Sequence, residues 1–157
     1  MYSNSLANIK TKVETNVEKW NVHFKNGSYG ILETSTVDSL FNPNLTDPNM
    51  NTKVKATIGA NDVFDFVIAV ENEGTMDGIL QNISLSGDIE GLEYSFSWYG
   101  KQYTKQTYPL EYVESPIDFN KDVLSKGSIR NIKVHIVGKA DAVQQERNIN
   151  LKLDFTK

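Results

Sequence analysis

The sequence predicts an all-β fold: a two-sheet antiparallel β-sandwich of jelly-roll or Ig-like type, with about nine strands and at most one short helix. Three observations carry this expectation. Apolar residues recur at every second position along most of the chain, as at Phe64, Phe66, Ile68 and Val70, which share one face of an extended segment. Clusters of Gly, Asn, Asp and Pro punctuate these runs at short intervals. Helix signals are few, the best being "KADAVQQERN", residues 139–148, short enough to be a turn of helix in a crossover between the last two strands.

Taken in order, the first run is "NIKTKVETNVEKW", residues 8–20, where Ile9, Thr11, Val13, Thr15 and Val17 alternate with Lys10, Lys12, Glu14 and Asn16. Ile9, Val13 and Val17 also repeat every four residues, but β-branched residues at every second position favour extended chain over helix. Between Val17 and Trp20 the apolar set moves from odd to even positions, which implies a bulge or hinge. Residues 1–17 are therefore read as a detachable N-terminal strand of a single β-sandwich domain spanning 1–157. The strand either pairs within its own sheet or adds to the sheet edge of a neighbouring copy.

Trp20, Val22 and Phe24 begin the next strand, and "DSLFNPNLTDPNMNTK", residues 38–53, reads as a surface loop leading to Val54, Ala56 and Ile58. Residues 63–87 carry two alternating runs around "NEGTMDG", the second with Ile79, Ile83 and Leu85. Gly74 and Gly78 suit a tight reversal, so the stretch reads as a hairpin, with Asn72, Glu73 and Asp77 as turn formers. Leu92, Tyr94, Phe96 and Trp98 mark a core-facing strand. Strands also follow at Tyr108, Leu110 and Tyr112, at Ile132, Val134 and Ile136, and at Ile149, Leu151, Leu153 and Phe155.

A chain of 157 residues with 39% hydrophobic and 23% charged residues is long and apolar enough for one sizeable core. Its net charge of -4 is spread along the chain without a basic stripe, so nucleic acid is not an expected partner. Cysteine is absent, which excludes disulfides, thiolate metal sites and a cysteine nucleophile, and fits a secreted or a cytosolic protein alike. No apolar run approaches the length of a membrane span, and no charged leader precedes an apolar segment.

Candidate chemistry is sparse. His23 and His135 fall on the polar faces of separate strands without metal-ligand spacing, so no metal and no cofactor are expected. Asp118, Asn120 and Asp122 begin the alternating spacing of a calcium loop, but Val123 stands where the turn needs Gly and Ile129 where the bidentate Glu belongs. No G-x-S-x-G is present, and nothing selects a catalytic pair among 20 acidic residues, so the chain is not read as an enzyme. The densest unusual feature is "YSFSWYGKQYTKQTYPLEY", residues 94–112, in which Tyr99 and Tyr103 flank a turn at Gly100. They form either a cross-strand pair or an exposed platform for a sugar ring or a partner protein.

Four stretches, "EKWNVHFKN", "FDFVIAVENEGTMDG", "LSKGSIRNIKVHIV" and "ADAVQQERNINLKLDF", resemble in that order the camelysin-like surface proteins of Gram-positive bacteria. That family is processed by a dedicated signal peptidase and includes biofilm matrix fibre subunits. The resemblance implies an extracellular or cell-surface β-sandwich whose subunits polymerise. It also implies that "YSNSLANI" follows a cleaved leader, with Met1 supplied by cloning. Some members carry a metalloprotease activity, which does not transfer to a chain with two separated histidines and no zinc motif. The expected function is a matrix fibre or pilus-like subunit assembling by donor-strand exchange through Ile9, Thr11, Val13, Thr15 and Val17. The alternative is an extracellular carbohydrate- or protein-binding module using the aromatic hairpin at Tyr99 and Tyr103.

Overall fold

The structure, a computed structural model, describes residues 17–37, 41–102 and 111–157. Nine strands follow one another there: β1(Val22–Ile31), β2(Asn51–Ile58), β3(Val63–Asn72), β4(Gly78–Gly87), β5(Leu92–Gln102), β6(Glu111–Pro116), β7(Val123–Leu124), β8(Ile129–Gly138) and β9(Gln145–Thr156). They form two antiparallel sheets, a larger one of order β1-β3-β8-β5-β6 and a smaller one of order β2-β9-β4-β7. The fold is an all-β two-sheet sandwich, with no helix among the described residues.

The period-two pattern is what places the core. Phe24, Phe64, Phe66, Ile68, Val70, Ile132, Val134 and Ile136 face inward from the larger sheet. Val54, Ala56, Ile58, Ile83, Leu85, Ile149, Leu151 and Leu153 face them from the smaller one. Each large aliphatic or aromatic side chain so buried contributes about 1.5–3 kcal/mol.

Several expectations need correction. Residues 63–87 are not a hairpin, because β3 lies in the larger sheet and β4 in the smaller, so "NEGTMDG" arches between sheets. Asn72 holds the arch. Its buried side chain donates to the carbonyls of Met76 (2.7 Å) and Leu124 (3.0 Å) and accepts from the Gly74 amide (3.0 Å). A register shift between Leu80 and Asn82 changes the parity of β4, so Leu80 rather than Ile79 reaches the core. Residues 139–148 hold a turn and then the start of β9, with no helix, because Arg147 must point inward in the strand alternation. Tyr94 has core parity yet is 42% exposed, for a reason given below.

The strand expected at Tyr108, Leu110 and Tyr112 is seen as β6, while Tyr108 and Leu110 lie outside the described residues. Residues 17–21 form no strand, but their backbone follows the arch: Glu73 N–H donates to Asn21 O (2.9 Å) and Thr75 N–H to Lys19 O (2.9 Å). Gly74 permits this approach, since a Cβ there would fall 2.3 Å from Lys19 O.

Candidate functional site

At one end of the sandwich three short connections align the sheets, so that β2, β9 and β4 lie over β3, β8 and β5. Arg147, fully buried, ties them together. Its side chain donates to the carbonyls of Ile58 (3.0 Å), Asp88 (3.1 Å), Glu90 (2.7 Å) and Val143 (2.8 Å), one cation gathering the end of β2 and the β4–β5 and β8–β9 connections. Nothing in the sequence singled out this residue; its only signal is an arginine at a position whose parity points inward.

The two flanks of the aligned sheets differ at this end. On the β1/β2 flank the chain after β1 runs on as a strap along β3. Leu32 N–H donates to Asp65 O (2.8 Å), Thr36 N–H donates to Val63 O (2.8 Å), and Ser35 Oγ bonds both the amide and the carbonyl of Asp65. Val37, Leu45 and Met50 then close that side.

On the β4/β5 flank the described cover is the β6–β7 connection, whose Ile117 and Phe119 pack against the core and whose Asn120 and Asp122 bond Leu80, and it does not extend over the rest of both edges. β7 pairs with β4 only at Gly78 and Ile79, and beyond Leu80 no described strand borders residues 81–87. β6 pairs with β5 only from Ser97 onward, leaving 92–96 likewise unbordered. Among the described residues, two sheet edges are therefore unbordered. Tyr94 lies at this opening with its ring 5.7 Å from that of Phe96, which explains why a residue of core parity is exposed. Open edges offer unpaired N–H and C=O groups, the requirement for adding a strand from another chain.

Of the assembly strand inferred from sequence, Val17 is 67% exposed, while Ile9, Thr11, Val13 and Thr15 lie outside the described residues. Tyr103 also lies outside them. Tyr99 stacks on Tyr112 (centroids 4.8 Å apart, planes 7° apart) across the β5–β6 pair. Beside the stack is a depression of about 550 Å³ whose lining includes Trp98, Val113, Ile129 and Arg130. Burial raises the Tyr99 hydroxyl above its ordinary pKa, with Lys133 opposing and Tyr112 and Glu114 adding to the rise.

Asp118, Asn120 and Asp122 have other partners. Asp122 Oδ2 accepts from the Trp98 indole (2.6 Å) and the Asp118 amide (2.8 Å), and Asp118 faces Lys121 at 3.9 Å. Asn120 adopts φ +69° in the turn that returns its amide to Leu80 O. Desolvation works to raise the Asp122 carboxyl, but the Asp118 and Trp98 bonds and the Arg130 charge outweigh it, so its pKa is lowered.

The histidines do meet carboxylates, although not each other. Asp65 is buried under the strap and accepts from Thr34 Oγ1 and from His135 Nδ1 (2.5 Å each), leaving His135 Nε2 toward the surface. Ser95 is the direct cross-strand partner of His135 on β5, but its hydroxyl makes no hydrogen bond to the ring. On β1, His23 lies beside Glu71 and Glu73, with Nδ1 3.7 Å from Glu71 Oε1 and Nε2 3.2 Å from Glu73 Oε1.

The class defined by this arrangement is a two-sheet antiparallel β-sandwich, one flank of which is incompletely covered by the described residues. No family model, no curated protein and no solved structure matches the chain.

Proposed function

We propose that the protein is a secreted or cell-surface structural subunit that assembles by strand addition, as in a matrix fibre or pilus-like polymer, and is not an enzyme. The observation that carries this reading is the pair of edges that no described strand borders, β4 at 81–87 and β5 at 92–96, on one flank of the sandwich. The entering strand is residues 9–17 of a second copy. Extended, it reaches about 30 Å, enough to cover the roughly 23 Å of open β4 edge. Its alternation presents Ile9, Thr11, Val13, Thr15 and Val17 to the interior beside Tyr94 and Phe96, and Lys10, Lys12, Glu14 and Asn16 to water. The resemblance to camelysin-like surface proteins supports the same reading and the extracellular location.

A second reading, a carbohydrate- or protein-binding module, is favoured by the Tyr99–Tyr112 stack beside its depression, since aromatic faces suit sugar rings and partner side chains. Electron microscopy of the purified chain separates the two. The full chain is expected to form ordered fibres, and both deletion of residues 1–16 and the double substitution Ile9→Lys/Val13→Lys are expected to leave a folded monomer without them. Fibres that persist in either variant reject strand addition. Glycan binding that disappears in Tyr99→Ala, from a chain that never polymerises, selects the second reading.

A further inference from the structure

We infer that His23, Glu71 and Glu73 form a binding site for a divalent transition-metal ion, zinc by the chemistry of the donors, at the point where the N-terminal segment joins the sandwich. Each residue offers one ligand atom, and the three atoms lie within 4.8 Å of one another. The backbone holds them there. His23 and Glu71 are direct cross-strand partners on β1 and β3, and Glu73 follows where its amide is fixed to Asn21 O.

The imidazole is oriented for metal binding. Phe24 O can only accept, so the 2.7 Å contact with His23 Nδ1 requires a proton on that nitrogen. Nε2 then faces Glu73 Oε1, 3.2 Å away. A divalent ion taking the place of a proton between that nitrogen and the carboxylate would be held by both. A carbonyl bonded to the far ring nitrogen is also the usual outer-shell partner of a metal-bound histidine, fixing its tautomer and ring plane.

The geometry selects the ion. In a tetrahedral zinc site with bonds near 2.0–2.1 Å, adjacent ligand atoms are about 3.3 Å apart. The His23–Glu73 separation already matches this, and rotation of the flexible glutamate side chains brings Glu71 in. One imidazole with two carboxylates suits zinc better than calcium or magnesium, which take all-oxygen shells, and leaves a fourth position for water. The ion would join β1 to the start of the arch and so stiffen the root of residues 17–21. This inference stands apart from strand addition and survives its failure.

The test is calorimetric titration of the chelator-treated full chain with zinc chloride in a non-coordinating buffer containing excess magnesium. One zinc per chain is expected, with a rise in melting temperature. His23→Ala and Glu73→Gln are each expected to weaken binding roughly ten- to hundredfold. His135→Ala should bind as the parent does. Glu73 is exposed, so its variant keeps the test valid if His23→Ala folds poorly. Absence of binding at millimolar zinc, or affinity unchanged in Glu73→Gln, overturns the site.

Discussion

Arg147 shows how much one side chain can hold when it replaces several separate contacts. It is fully buried, and its partners among the described residues are four backbone carbonyls. Replacement by methionine keeps the packing volume but leaves those carbonyls without a donor, and is expected to cost about 3–5 kcal/mol by chemical denaturation. Lysine should recover little of this, since an ammonium cannot match the fork that spans Ile58, Glu90 and Val143. Asp122 has a similar joining role, tying the Trp98 indole to the turn before β7, while Arg130 stacks on the Trp98 ring at 3.6 Å. Because the folded pKa of Asp122 is lowered, its stabilisation is present above the ordinary aspartate range and is lost as pH falls through the folded value. Asp122→Asn is therefore expected to be less stable than the parent at neutral pH by about 1–2 kcal/mol, with the difference closing as the pH falls below the ordinary aspartate range. Urea melts across pH read this directly, and a gap that stays constant to low pH would contradict the assignment.

Among the elements, the arch and the open flank decide most. The run that reads as a hairpin becomes an arch because both its strands carry strong apolar faces that find separate sheets, and Asn72 supplies the hydrogen bonds that the unpaired turn lacks. The same arch receives residues 19–21, whose backbone it fixes through the Lys19 and Asn21 carbonyls. On the flank, β4 is bonded to β9 on one side and, among the described residues, unbordered on the other over 81–87. Amides of that stretch pointing away from β9 are expected to exchange with deuterium far faster than their neighbours in the monomer, and to become protected in assembled fibres. Protection that is already uniform along β4 in the monomer would show the edge to be covered.

At the scale of the whole molecule, the two sheets share one core, and the alternating pattern is its cause. Composition, the apolar period and turn chemistry determined by themselves that the chain is all-β, that it forms two sheets of about nine strands, and which faces of β2, β8 and β9 turn inward. These are local properties: side chains alternate across an extended backbone whatever it pairs with. The pairing partners of β3 and β4, the parity change in β4 and the exposure of Tyr94 came only from the tertiary structure, because each depends on what lies across a strand rather than along it. The candidate sites divide the same way. The alternation at Ile9–Val17 and the tyrosines of the β5–β6 region were legible in sequence, although Tyr103 and most of the first set lie outside the described residues. The open flank, the carbonyl cluster around Arg147 and the meeting of His23 with Glu71 and Glu73 join residues far apart in the chain, and a sequence pattern extends only as far as its period. Antiparallel register closed those distances, and register is fixed by the collective burial of two apolar faces.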